Sequence, residues 1–239
     1  MTDDVFGRVL VVVDGTESGL EACRQVARLS PADAPVDAVG VVHFASAADG
    51  AERALDEALE LLDGRAVRRR LDGFVASSLL AELDAFGATL VAFGSHEHRR
   101  AGDILLGGSE GELLHKAPCS VLVARPCDRD AFPQAIVVGH DGSADADRAL
   151  AAARALAQRC GGSVRVLTSL AGKLADHGLL GEVGVTTVAE PPVVALVDAS
   201  RDADLLVVGS RGLHGVGALG SVSERVAYDA ACSVLVVRG

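Results

Sequence analysis

Tryptophan is absent from this 239-residue chain, tyrosine occurs once, and aromatic residues make up only 3% of it. Its core must therefore be built from Val, Leu, Ala and Ile, which dominate a hydrophobic fraction of 49%. Such aliphatic stretches suit strands covered by helices on both faces, where strand sequences are continuously apolar. Basic residues are also scarce. The net charge of −11 excludes nucleic acid and an anionic membrane surface as main partners. It does not exclude a nucleotide, because a cradle of backbone N–H groups needs no basic protein around it. No apolar run approaches the roughly 20 residues of a membrane span. The start, Met1-Thr2-Asp3-Asp4, is acidic and passes straight into a strand-like run, so no leader and a cytoplasmic location are expected. The five cysteines, Cys23, Cys119, Cys127, Cys160 and Cys232, show no CxxC spacing. Odd in number and scattered, they exclude a disulfide framework and read as small buried residues in a reducing compartment.

What the chain does contain is repetition. Val9-Leu10-Val11-Val12-Val13-Asp14-Gly15-Thr16 matches Ile136-Val137-Val138-Gly139-His140-Asp141-Gly142-Ser143. Leu90-Val91-Ala92-Phe93-Gly94-Ser95 matches Leu205-Leu206-Val207-Val208-Gly209-Ser210, and Cys119-Ser120-Val121-Leu122-Val123 matches Cys232-Ser233-Val234-Leu235-Val236. The shift between copies narrows after the first strand, so the first copy carries extra residues there, with the acidic helical stretch 50–62 as the candidate. Strands are expected over 8–13, 38–43, 66–71, 89–93 and 120–125, and again over 135–140, 163–168, 183–188, 204–208 and 233–238. Helices fill the gaps: Ser18 with Glu21 is expected to cap the first and Ser30-Pro31 to stop it, while Asp145 starts its counterpart and Gly161-Gly162 ends it. Alternating strands and helices imply an α/β chain of two tandem, doubly wound, five-stranded parallel-sheet domains, 1–128 and 129–239.

In such sheets a ligand sits beyond the carboxyl ends of the strands, where the strand order switches direction. Asp14 and Asp141 stand at that end of the first strands, and glycine loops at that end of the fourth. The second loop, Gly209-Ser210-Arg211-Gly212, then seven residues, then Gly220-Ser221, leads into Ser221-Val222-Ser223-Glu224, whose Ser-to-Glu spacing is that of a capping box. Glycines let backbone approach a ligand closely, and a helix start presents N–H groups to anions. A carboxylate facing an N–H cradle suits the sugar or base and the phosphates of a nucleotide.

These residues and the closing strand Ala231 to Arg238 resemble a tandem universal stress protein over nearly the whole chain. The resemblance implies an adenine nucleotide alpha hydrolase-like fold. One branch of that family binds ATP through Gly-x2-Gly-x9-Gly-Ser/Thr, and another branch lacks the motif. It further implies a cytoplasmic stress-response protein that binds ATP, with or without Mg²⁺, or AMP, and acts by ligand-dependent association. Family members pair through their last strands, so an internal pseudo-dimer, or a homodimer, is implied as well. In the second copy Asp141, with the turn residues Gly142 and Ser143, would contact adenine or ribose, and Val208 would line the base pocket near Leu167 and Thr168. Gly209 and Gly212 would hold the ribose–phosphate turn, and Gly220, Ser221, Val222 and Ser223 would bind phosphates; Arg211 either approaches a phosphate or stands solvated in the loop. The loop departs from the family pattern by two residues, a change that either moves the cradle by several ångströms or, since Gly215 and Gly217 make the loop adaptable, trims an outer bulge; the second is expected.

The first copy departs differently. Asp14, Gly15, Thr16, Gly94 and Gly107 are kept, but Glu97 replaces the second glycine. Aligning Cys119 on Cys232 puts Gly108 at the phosphate-binding serine position. Ser109 follows one residue late, in a capping-box spacing with Glu112. A weaker site is expected there.

Other readings remain open. A ligand-free pairing scaffold fits the altered first loop and the shortened second one. A slow ATPase ranks last, because neither a base nor a Mg²⁺-binding carboxylate pair is in view. His96 and His98 around Glu97 lack a further metal ligand. His140 next to Asp141 makes no triad, since neighbours in a strand point to opposite faces and no Gly-x-Ser-x-Gly elbow accompanies them. Arg68-Arg69-Arg70 reads as a solvated strand edge, and the absence of lysine after Gly209 excludes a P-loop.

Overall fold

The computed structural model describes residues 5–42, 48–95, 99–100, 103–104, 108–127, 131–168, 184–210 and 221–239; for residues 48, 99, 100, 103, 104 and 221 it describes the backbone alone. The chain divides into two compact units, Met1–Pro126 and Cys127–Gly239.

In the first unit, strands β1 (Val9–Val12), β2 (Val36–Val42), β3 (Ala66–Asp72), β4 (Leu90–Gly94) and β7 (Ser120–Ala124) pair in parallel in the order β7-β4-β1-β2-β3. Helices α1 (Glu17–Leu29), α2 (Ala48–Leu61), α3 (Val75–Phe86) and α4 (Gly108–Lys116) connect them. A short antiparallel pair, β5 (Arg99–Arg100) with β6 (Asp103–Ile104), lies between β4 and α4. The central strands are buried along their length, as strands covered on both faces must be. The expected acidic helix is α2, whose Leu55 packs so closely on β2 that a side chain at Gly40 would press against it.

The edge strand β3 is mostly exposed and carries the three arginines. They are ion-paired rather than simply solvated. Arg68 meets Glu52 and Asp56, Arg69 meets the buried Asp37 and also Glu82, and Arg70 meets Glu52 and Asp72. The hydrogen bond to Asp37 raises the pKa of Arg69 further.

The second unit repeats the plan with β8 (Ala135–Gly139), α5 (Ala144–Cys160), β9 (Ser163–Thr168), β10 (Gly184–Thr187), α6 (Pro192–Ala199), β11 (Leu205–Gly209), α7 (Ser221–Asp229) and β12 (Ser233–Val237). Its strands pair in parallel in the order β10-β9-β8-β11-β12. Each unit therefore winds outward in both directions from its first strand. The switch in direction falls between β1 and β4 in one unit and between β8 and β11 in the other.

The helix caps differ from the sequence expectation. Thr16, not Ser18, caps α1, its Oγ1 accepting from Gly19 N at 3.1 Å. Ser143, not Asp145, caps α5, its Oγ accepting from Ala146 N at 3.2 Å. In both cases the helix begins directly after the Asp-Gly turn, so the hydroxyl closing the turn reaches the first unsatisfied N–H groups before any later residue. Gly161 ends α5 in a left-handed conformation, as its position predicted. Of the cysteines, Cys23, Cys119 and Cys232 are buried, but Cys127 and Cys160 are half-buried; all five are free thiols. No described helix is long and apolar enough to cross a membrane.

Candidate functional site

Each unit brings an Asp-Gly turn and a glycine-bearing strand end to its switch point. In the first, Asp14 Oδ1 accepts from Thr16 N at 2.9 Å and from Thr16 Oγ1 at 2.7 Å, while Gly15 has φ +77°. In the second, Asp141 Oδ1 accepts from Ser143 N at 3.1 Å, while Gly142 has φ +79°. One carboxylate oxygen thus pins the turn in each copy, and the turn carries the carboxylate to the strand ends. Holding their own turn is thus a structural role of both aspartates.

Gly94 and Gly209 bring the fourth strand of each unit against the first helix. A side chain on Gly209 would fall 2.6 Å from the Asp145 carbonyl and 2.9 Å from Ala146 N, and one on Gly94 would strike the backbone of Ser18 and Gly19. Both positions are therefore required for helix packing, whatever else the loops do. Val208 is buried in register with Gly139, and Leu167 and Thr168 are buried at the end of β9.

Helix α7 begins at Ser221 and presents Val222 and Ser223 in its first turn. Ser223 Oγ donates to Gly209 O at 2.6 Å, tying the helix start to the end of β11. Arg211, Gly212 and Gly220 lie outside the described residues, as do Gly107 and the His96-Glu97-His98 cluster. Among the described residues no group of three or more His, Cys, Asp or Glu could hold a metal ion.

Two side chains at the switch points escaped the sequence reading. His140 is buried, accepts from Gly142 N through Nδ1 at 3.2 Å, and sets Nε2 3.1 Å from Asp147 Oδ1. An Nδ1 that accepts a backbone N–H has no proton, so Nε2 carries it and donates to Asp147. His140 does not cooperate with Asp141, as strand alternation predicted, but it clamps the turn that carries Asp141. The repeat match places Val13 at the equivalent position, so this clamp is not shared by the first unit.

The other is Glu110. Ser109 lies inside α4 rather than capping it, and Glu112 pairs with Lys116 Nζ at 2.6 Å instead of reaching back. Gly108, Ser109 and Glu110, together with Asp14 and Gly94, line a cavity of about 340 Å³ at the switch point of the first unit. Its apolar wall is Val12, Val75, Leu79, Phe93 and Leu113. The alignment that matched Cys119 to Cys232 already paired Glu110 with Ser223. Nearby on α1, burial and then the charge of Asp14 push the Cys23 thiol up to about 12.

With this geometry in hand, comparison with known proteins places the chain. The profile of the universal stress protein family matches residues 6–125 and 170–238. The chain is similar to a universal stress protein from Archaeoglobus fulgidus DSM 4304, at 22% identity and a TM-score of 0.79, covering 98% of each chain. It is similar to a candidate universal stress protein from Pseudomonas aeruginosa UCBPP-PA14, at 17% identity and a TM-score of 0.74, covering 97% of this chain and 93% of that one. It also resembles the cytoplasmic domain of a prokaryotic cation chloride cotransporter, at 12% identity and a TM-score of 0.61, covering 96% and 94%. At these identities the structures share the fold. No curated protein matches.

Proposed function

This chain belongs to the universal stress protein family, and we propose that its second unit binds an adenine nucleotide, ATP or AMP, and acts in the cytoplasm by ligand-dependent association. The observation that carries the reading is the convergence, at one switch point, of the Asp141 turn, the end of β11 and the first turn of α7. In this reading the Asp141 carboxylate accepts from ribose or base, Val208 stands against the base, and the N–H groups of Ser221, Val222 and Ser223 meet phosphate at a helix start. The Ser223 hydroxyl, donating to Gly209 O, holds the helix start against the end of β11. Gly212, Gly220 and Arg211 complete the loop. Mg²⁺ would arrive with the triphosphate, because no described acidic cluster serves it. Binding rather than turnover is the proposed activity.

The test is calorimetric titration of nucleotide-stripped protein with Mg-ATP and with AMP, repeated on Asp141→Ala. A saturable site that is lost in the variant supports the reading. Absence of saturable heat at two temperatures overturns it in favour of a ligand-free scaffold of the same fold.

A further inference from the structure

We propose that His140 positions the Asp141 turn only while its imidazole is neutral, so that a proton taken up at Nδ1 releases the turn and weakens any ligand the second unit binds through it. The consequence for binding rests on the adenine-nucleotide reading; the release of the turn does not.

The two units hold their turns differently. In the first, Asp14 takes both the N–H and the hydroxyl of Thr16, and Val13 stands where the second unit has His140. In the second, Asp141 takes Ser143 N and the imidazole takes Gly142 N. The His140 side chain is fully buried, whereas the Asp147 carboxylate on its other side belongs to a side chain that is 49% exposed. One ring nitrogen therefore meets a residue that touches solvent, and the other meets the turn.

A neutral imidazole that accepts at Nδ1 and donates at Nε2 satisfies both partners. An imidazolium has two donors and no acceptor. Its Nε2–H keeps Asp147, whose carboxylate then opposes a full positive charge. Its Nδ1–H faces the Gly142 N–H, donor against donor, so the turn loses that hydrogen bond and Gly142 must move. The proton comes from solvent and goes onto the Nδ1 lone pair; no covalent bond between heavy atoms changes. Histidine is the side chain that ordinarily changes charge between about pH 5 and pH 8.

A side chain on Gly139 would meet Leu196, so α6 covers the other face of β8 and His140, one residue on, faces α5. Beside it on that face the strand register puts Thr168 of β9 and Gly209 of β11, neither of them charged. From α5 come Asp147, which meets the ring, and Asp145, which is taken by Arg148. Asp141, next in the chain, holds Ser143 N. Among the described residues, the charged groups beside the ring are thus three carboxylates and one arginine already paired with one of them.

The experiment follows the turn in the whole chain. Proton–nitrogen NMR correlations of the His140 ring report whether Nδ1 carries a proton, and amide hydrogen exchange reports the protection of Gly142, both between about pH 8 and pH 5. We expect that protection, corrected for the intrinsic exchange rate, to fall by up to about tenfold per pH unit below the midpoint of Nδ1 protonation, the limit for one proton. His140→Asn keeps an acceptor for Gly142 but takes up no proton, and should hold Gly142 protected throughout. Asp147→Asn removes the carboxylate that pairs with the imidazolium, and should keep Gly142 protected to lower pH than in the unaltered chain. These readouts need no ligand. Calorimetric titration with AMP then compares affinities of the unaltered chain and His140→Asn; their ratio, in which the titration of AMP itself cancels, should fall with the same midpoint. Circular dichroism at each pH establishes that the chain is folded. Should His140→Asn unfold, ring and amide in the unaltered chain and in Asp147→Asn decide. Overturning results are Nδ1 protonated without loss of Gly142 protection, Nδ1 unprotonated down to about pH 5, the same loss of protection in His140→Asn, or a flat affinity ratio where AMP binds. No AMP binding, with Gly142 still following Nδ1, overturns the nucleotide reading alone and supports the release of the turn.

Discussion

His140 Nε2 lies 3.1 Å from Asp147 Oδ1, joining the end of β8 to the first turns of α5 across the Asp141-Gly142 turn. With Nδ1 accepting from Gly142 N, the imidazole braces the turn from both ring nitrogens. Asp147→Ala leaves a buried Nε2–H without its acceptor and should cost about 1 kcal/mol or more. His140→Val removes donor and acceptor demand together, and places there the residue type that the first unit carries as Val13; it should cost less. Urea unfolding of the two variants checks the order. The reverse order would remove the clamp from the account.

Helix capping supplies a second contrast. Thr16→Ala and Ser143→Ala should each lower stability by about 1 kcal/mol, the usual worth of an N-cap hydroxyl. Ser18→Ala removes only the 3.0 Å hydrogen bond of its Oγ to the capping Thr16 Oγ1 and should cost less than loss of the cap itself, about 0.5 kcal/mol. Chemical denaturation of the three variants decides between the cap that the sequence suggested and the one that the structure contains.

The strand-end glycines should prove intolerant of the smallest side chain. A methyl group on Gly209 would fall 2.6 Å from the Asp145 carbonyl, so Gly209→Ala must push α5 away from β11. A loss of about 1–3 kcal/mol is expected, as for overpacked cores. Gly142→Ala meets open space but inherits a positive φ, and its cost comes from backbone conformation instead. Thermal melts distinguish a folded but loosened Gly209→Ala from an unperturbed one. The same result warns that Gly209 variants report on folding as well as on binding.

Alkaline stability should depend on Cys23. Its folded pKa is raised from 9.0 to about 12, first by burial and then by the charge of Asp14. A raised pKa means the folded state keeps the proton that the unfolded state releases. The contribution of Cys23 is therefore complete below about pH 9 and is lost as pH rises toward 12. Urea midpoints between about pH 8 and pH 10, falling less steeply for Cys23→Ala than for the unaltered chain, test this; burial also raises Cys160, so some slope remains. In native protein at neutral pH, iodoacetamide should modify the half-buried Cys127 and Cys160 before Cys23.

Much of the fold was legible because it rests on local signals. Runs such as Val9 to Val13 and Leu205 to Val208 are too continuously apolar for anything but strands covered on both faces. Gly161 announced the end of α5 because only a residue tolerant of positive φ fits there. Helix starts were less legible: Thr16 and Ser18 carry the same chemistry two residues apart, and the choice depends on where the Asp14 turn releases the chain. The placement of Asp14 and Asp141 in strand-end turns was legible from the Asp-Gly pairs that follow the apolar runs. The role of His140 was missed because its partner, Asp147, lies two turns of chain away and no short motif links them.

The amino-acid sequence alone determined the repeat and the strand–helix alternation, and with them the strand ends on which the Asp-Gly turns stand. Those depend on periodicity and backbone preference, which act over a few residues. Tertiary structure alone decided what stands around those ends. It put Glu110 on the cavity wall where the repeat has Ser223, left the Ser95 hydroxyl buried without a partner among the described residues, and made Gly209 a packing requirement for α5. Charge, desolvation and close approach depend on groups distant in the chain, and they exist only once those groups are brought together.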